Sequence, residues 1–226
     1  CNVRRRTKRE QKRMIDQRLY WEKEWNSDSP DAYQTYLLGH ISAKPWFLEE
    51  FHRFGVSTVC DAACGFGAYS AMFSANGFSV SGFDISQNAV NLTIDLLNRN
   101  NLEHLTYRVC DICRIDFPDA SFDAVVAHAV LDHLPVKDVR RALLELHRVT
   151  KDGGLIFLSF DPLEPEDLEE PHEVMPDGSF LYVGGGRDGL LFHHYTDEEI
   201  QCLLQDRTIL QWRENSRGER QLLIQR

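Results

Sequence analysis

From residue 56 onward the chain alternates short β-rich runs with amphipathic helical patterns, and this alternation limits the folds open to it more than any other feature. Strand-like runs fall at 56–60, 78–83, 105–110, 122–127 and 155–160. Helical patterns lie between them at 68–75, at 86–100 behind the cap residue Ser86, and at 136–149 before Gly153-Gly154. Strand, helix, strand repeated in this way predicts a parallel sheet with helices on both faces. After residue 160 the pattern changes. Residues 161–178 are rich in Pro and Glu and read as a connecting loop, followed by two short strand-like runs at 179–183 and 190–195. Thr196 and Glu199 form a capping signal for a helix to about residue 204. Two last strands, 207–213 and 221–225, flank the turn at 215–218 and predict an antiparallel hairpin on the sheet edge. The expected fold is α/β: a doubly wound, mostly parallel seven-stranded sheet with a C-terminal antiparallel hairpin. Ahead of it, residues 8–25 and 33–54 read as helices, with a break at Lys44-Pro45. Residues 1–54 are thus an N-terminal helical segment and 55–226 the main domain.

Composition narrows the function classes. The 226 residues have an ordinary apolar and aromatic content, enough for one core. No apolar run approaches the roughly 20 residues that span a bilayer, and the basic start has no apolar stretch behind it like that of a secretory signal. The expectation is a cytoplasmic protein without membrane contact. Among six cysteines, Cys110 and Cys113 have CxxC spacing, but no second pair or His pair accompanies them, so no metal site is expected. The net charge is −10, yet residues 4–13 hold seven Lys and Arg against Glu10 alone. An acidic body is a poor platform for nucleic acid, whose affinity comes largely from phosphate contacts. The basic head reads first as a solvated helix and second as an RNA-binding arm.

The candidate site lies at the first strand-to-helix turn, Asp61-Ala62-Ala63-Cys64-Gly65-Phe66-Gly67. In an open parallel sheet, ligands bind at the carboxyl ends of the strands. Small residues let the backbone approach a ligand closely, and the following helix N-terminus favours an anion such as a carboxylate. Asp61 just before the glycines would repel the pyrophosphate of a dinucleotide, and the spacing does not supply G-x-G-x-x-G. A phosphate-free ligand carrying an ammonium and a sulfonium would instead be welcomed by the acid. Asp84, closing the second strand, can accept from both ribose hydroxyls. Asp111, at the end of the third, is placed to accept from an exocyclic amine such as that of adenine.

Residues 59–67 resemble the first motif of the class I S-adenosylmethionine-dependent methyltransferases. Asp84 falls where that family has its ribose-binding acid. Residues 109–112 resemble its adenine-contact segment, 122–134 its fourth-strand motif and 153–157 the entry to its fifth strand. The resemblance covers residues 55–160 well and the closing hairpin more loosely. It implies S-adenosylmethionine as cofactor, bound by Asp61, Ala63, Cys64, Gly65, Gly67, Asp84, Ile85, Asp111, Ile112 and His128. Ala63 departs from the glycine usual in the family and narrows the space for the methionine part. In similar enzymes the N-terminal helices fold over the cofactor as a lid, and residues 161–192 would form an insertion on the acceptor side.

Methyl transfer from a sulfonium is an in-line displacement, in which positioning of the acceptor supplies much of the rate. A base is needed only if the acceptor must lose a proton. His133 and His194 are the candidate bases. Trp25, Tyr36, His193 and Tyr195 are the candidate acceptor contacts, though strand alternation lets only one of His193 and His194 face inward. An aromatic, partly apolar pocket suggests a small organic acceptor, bound by a monomer or homodimer. Nucleic acid is disfavoured: the chain has no Asn-Pro-Pro-aromatic segment and no Pro-Cys pair. The alternatives are an RNA methyltransferase using the basic head and a non-catalytic protein that binds S-adenosylmethionine or S-adenosylhomocysteine.

Overall fold

The computed structural model describes residues 17–26 and 31–226. Its core is a seven-stranded sheet of order β3-β2-β1-β4-β5-β10-β9. The first five strands run parallel: β1 (Thr58–Ala62), β2 (Ser79–Asp84), β3 (Tyr107–Val109), β4 (Phe122–Ala127) and β5 (Thr150–Phe160). The last two, β9 (Thr208–Glu214) and β10 (Arg220–Gln225), form the antiparallel hairpin, with β10 against β5. Strand order reverses between β1 and β4, which opens a crevice at the carboxyl ends of those strands.

Residues pointing alternately to the two faces build two cores. Cys60, Val125 and Ala127 pack with Val139, Ala142, Leu143, Leu146 and Val149. Those five define the apolar stripe of α6 (Val136–Val149), at the spacing that places them on one side. Val59, Ala124 and Val126 face the opposite way, onto Phe47, Phe51, Met72 and Phe73. Phe47 and Phe51 come from α3 (Phe47–Arg53), Met72 and Phe73 from α4 (Ala68–Ala75). Ser86 caps α5 (Gln87–Arg99) by accepting from the Ala89 amide at 3.1 Å.

The N-terminal region forms α1 (Gln17–Glu24) and α2 (Asp31–Ser42), which ends before the Lys44-Pro45 break. Residues 8–16 of the expected first helix, and the basic head, lie outside the described residues. Within the expected loop 161–178 the structure has α7 (Pro165–Glu169) and a strand, β6 (His172–Val174). β6 pairs with β7 (Phe180–Tyr182), which pairs with β8 (Leu191–Phe192), in a separate three-stranded sheet. The Pro- and Glu-rich sequence hid this strand, because three residues are too few to show alternation. The helix after Thr196 is α8 (Asp197–Leu203), closed by the reciprocal Thr196–Glu199 capping box. No helix among the described residues is long and apolar enough to cross a membrane.

Candidate active site

The crevice holds a cavity of about 270 Å³ at the ends of β1, β2 and β4. Asp61, Ala63, Cys64, Gly65, Asp84, Ile85, Asp111, Ile112 and His128 all line it, as does Trp25. Gly67 does not. It starts α4 with φ of 84°, and a Cβ there would meet Thr93 at 2.8 Å. A Cβ on Gly65 would lie 2.9 Å from the Trp25 ring, so this glycine lets the indole close down on the turn.

Both acids on the cavity wall are buried and held by the backbone. Asp84 is 4% exposed. Its Oδ2 accepts from the Gly65 amide at 3.0 Å and its Oδ1 from the Ser86 amide at 2.9 Å. Burial raises its carboxyl above the usual range, against the pull of these amides. Asp61 accepts the Ser70 amide (2.9 Å) and hydroxyl (2.6 Å) on Oδ2. Among the described residues no hydrogen bond reaches its Oδ1. Burial pushes this carboxyl up to about 6, outweighing Ser70. A cationic group beside Asp61 would restore the ionised form. Asp111, in the loop after β3, accepts from the Cys113 amide at 2.8 Å through Oδ1. Burial pushes the Cys64 thiol well up, which makes it a wall residue and not a nucleophile.

Two alanines in this wall have left-handed backbones, Ala63 with φ of 62° and Ala129 with φ of 47°. Only the position of Ala63 was legible beforehand, as a missing glycine. A Cβ there costs about 1 kcal/mol. Ala63→Gly is therefore expected to raise the melting temperature by roughly 2–4 °C in thermal unfolding. An unchanged or lower value would mean that the turn stores no strain.

The helices α1 and α2 cover the cavity. Trp21 stacks on Trp25 with centroids 6.2 Å apart, and Trp25 leans on Phe66 at the same distance. The cover is latched by Glu22, which nothing in the sequence pattern singled out. Its carboxylate accepts the Ser86 hydroxyl at 2.7 Å and the Gln87 amide at 2.8 Å, at the N-terminus of α5 where an anion is favoured. Glu22→Ala is expected to weaken S-adenosylhomocysteine binding about tenfold, on the order of 1–2 kcal/mol, and to shift the Trp emission of the free protein. Unchanged affinity would show that the cover contributes nothing to cofactor binding.

The expected acceptor-side residues separate. His133 lines the cavity, and its Nδ1 lies 3.1 Å from the Leu191 carbonyl oxygen. Burial pushes its imidazole down to about 4, so it is neutral at pH 7. His194 packs edge-on against Phe192 (4.2 Å between centroids) and does not line the cavity. Its imidazole is also lowered to about 4, mainly by burial. His193 is buried, with Nδ1 3.1 Å from the Ser179 hydroxyl. Tyr195 is buried in the core beneath β5, and Tyr36 is 67% exposed on α2. None of these three reaches the cavity. For His193, His194 and Tyr195 the signal that misled was a place at a strand end; tertiary packing turned their rings away from the cavity instead.

A small-residue turn, buried acids at the ends of β1 and β2, and an aromatic cover thus line one cavity. The parallel sheet with its antiparallel hairpin is the methyltransferase fold. A family model described as a methyltransferase domain matches residues 60–158. The match and the fold make the chain similar to the class I S-adenosylmethionine-dependent methyltransferases. An uncharacterised methyltransferase of Schizosaccharomyces pombe is 31% identical over 130 residues, 57% of this chain and 44% of that protein. A malonyl-[acyl-carrier protein] O-methyltransferase of Serratia marcescens is 32% identical over 101 residues, 45% of this chain and 37% of that protein. The chain thus spans less than half the length of these relatives. The crystal structure of 1,6-didemethyltoxoflavin-N1-methyltransferase from Burkholderia thailandensis, with 1,6-didemethyltoxoflavin and S-adenosylhomocysteine bound, has a TM-score of 0.66 at 14% identity. It covers 100% of this chain and 93% of that one. S-adenosylmethionine is the cofactor of the class, and the residues around the cavity fit it. Gly65 leaves room for the ligand and the cover, Asp61 offers an oxygen without a donor among the described residues, and Asp84 is held at the end of β2.

Proposed function

We propose that the protein transfers a methyl group from S-adenosylmethionine to a small organic acceptor by in-line displacement. The observation that carries this is the pair of buried carboxylates, Asp61 and Asp84, on either side of the Gly65 turn in one covered cavity. The bound cofactor would supply an electrophilic methyl group on a sulfonium. Asp84, oriented by the Gly65 and Ser86 amides, receives the ribose hydroxyls. Asp61 receives the ammonium, and Asp111 and Ile112 border the adenine. Trp21 and Trp25 exclude water from the cavity. His133, neutral through burial, is a hydrogen-bonding wall residue and a weak base.

A small acceptor goes with the aromatic cover of Trp21 and Trp25 over the cavity and with the acidic body. The reading places the protein in the cytoplasm, as a monomer or homodimer. Calorimetry of the purified chain with S-adenosylmethionine, S-adenosylhomocysteine and NAD tests the cofactor, and release of S-adenosylhomocysteine over a panel of small acceptors tests the transfer. Micromolar binding of the first two and none of NAD is expected. Tight binding of NAD alone would overturn the reading. Cofactor binding without turnover on any acceptor, RNA included, would leave a non-catalytic binder.

A further inference from the structure

A second cavity, of about 540 Å³, adjoins the first. Trp21, His128, Ala129 and His133 belong to the walls of both, so the two spaces meet where β4 ends. On one side the second cavity is aromatic and apolar, formed by Tyr20, Trp21, Leu190 and Phe192. On the other it is acidic. Glu24, Asp161, Glu164, Asp167 and Glu219 outnumber Arg187 and Arg217. Arg187 is committed to Asp167, with which it forms an ion pair, and lies 3.5 Å from Glu170.

The acids nearest the shared wall are the informative ones. Glu219 is only 4% exposed, and its Oε1 lies 3.0 Å from His128 Nε2. Its Oε2 accepts from Asn215 at 2.6 Å and Gln221 at 3.0 Å. Burial would raise this carboxyl, but His128 together with Gln221 and Ser159 outweighs burial and keeps it ionised. Asp161 is half-buried. Its backbone amide donates to Asp132 at 2.9 Å, and among the described residues no hydrogen bond reaches its carboxylate. Burial, helped by the neighbouring Glu219, raises it above the usual range against the pull of His128, Arg217 and Arg220. An anionic molecule entering here would meet like charge in a partly dry space, whereas a cation would gain two carboxylates. His128 itself is aimed by its neighbours: its ring lies on Tyr69 at 4.4 Å, and the Ala129 amide is held by the Ser159 hydroxyl at 2.9 Å.

With methyl transfer as the activity, we propose that the second cavity is the acceptor site and that it takes an amine-bearing small molecule, its nitrogen received by Asp161, Glu219 and His128 at the shared wall. The acceptor arrives as an ammonium, attracted by Asp161 and Glu219. One proton passes to Nδ1 of His128, whose Nε2 faces Glu219. The nitrogen lone pair then forms the new N–C bond as the C–S bond breaks. The bonding pair leaves on sulfur as neutral S-adenosylhomocysteine, and the methylated amine keeps the positive charge. Tyr20, Trp21 and Phe192 hold the carbon skeleton.

The test is a titration of the full chain, loaded with S-adenosylhomocysteine, with matched amine, alcohol and carboxylate probes on one skeleton: tyramine, tyrosol and 4-hydroxyphenylacetate, then the corresponding phenyl and indole series. Trp fluorescence reports binding. Within at least one series the amine is expected to bind ten times or more tighter than both analogues. Asp161→Asn is expected to reduce that preference at least fivefold while S-adenosylhomocysteine affinity stays within twofold, which also shows that the variant is folded. Equal or tighter binding of the carboxylate probes, no binding of any amine, or a preference unaffected by Asp161→Asn would each overturn the proposal. Failure of the chain to bind S-adenosylhomocysteine at all would instead overturn methyl transfer itself, so the two failures are distinct.

Discussion

Asp84→Ala is expected to weaken S-adenosylhomocysteine binding roughly 30- to 150-fold in calorimetry, the loss of two hydrogen bonds to a charged acceptor at about 2–3 kcal/mol. The carboxylate does two things at once. It orients the turn through the Gly65 amide at 3.0 Å and the start of α5 through the Ser86 amide at 2.9 Å. It also offers its remaining lone pairs to the cavity. Alanine removes both and leaves two buried amides without their acceptor, so the melting temperature of the free protein should fall as well. Asp84→Asn separates the two effects. Its carbonyl still accepts one amide, so stability recovers in part while the charged acceptor is gone and affinity stays low. Affinity of Asp84→Ala within a factor of two of wild type would remove Asp84 from the cofactor site.

Lowering the pH from 7 to 5 should weaken cofactor binding about tenfold, and Asp61→Asn should bind weakly and without that slope. The Asp61 carboxyl is raised from its ordinary 3.8 to about 6 by burial. Between those values the folded protein holds this proton more tightly than the unfolded chain does. Stability from this group is therefore full at low pH and is lost as the pH rises through about 6, some 3 kcal/mol in all at roughly 1.4 kcal/mol per unit. The raised Asp84 and Asp132 act in the same direction, while the lowered Asp123 and Glu145 act against it. The difference between wild type and Asp61→Asn isolates the one group. A ligand ammonium needs the anion, so affinity grows about tenfold per pH unit below 6 and levels off above. Calorimetry with S-adenosylhomocysteine between pH 5 and 7.5 reads this directly. A flat wild-type profile would show that no cation sits beside Asp61.

The helix Val136–Val149 and the strand Phe122–Ala127 were legible to the residue, because their periods are strong and their ends are marked. β6 was not, being three residues long in a Pro- and Glu-rich stretch. The donor side of the site was legible for a related reason. Asp61, Gly65 and Asp84 sit at the ends of successive strands, and in a parallel sheet those ends share one edge. The acceptor side had no such rule. His193, His194 and Tyr195 closed a strand-like run, yet the packing of β8 against β7 and the core takes their rings away from the cavity. Glu22, Asp161 and Glu219 carried no local signal, since their partners lie far along the chain.

What the amino-acid order determined by itself was the alternation of strand and helix, and with it the crevice and the acids on its rim. Period and turn chemistry act over a few residues, and the handedness of strand crossovers then leaves few ways to assemble them. Tertiary structure alone decided what faces that crevice from outside. The cover by Trp21 and Trp25, the Glu22 latch and the meeting of His128 with Glu219 all depend on segments brought together by packing. Side-chain direction at such meetings is set by the shape of the whole core and not by any neighbour in sequence. The turn at Gly65 could therefore be read as a donor site from its residues, while the adjoining cavity that would hold the acceptor exists only in three dimensions.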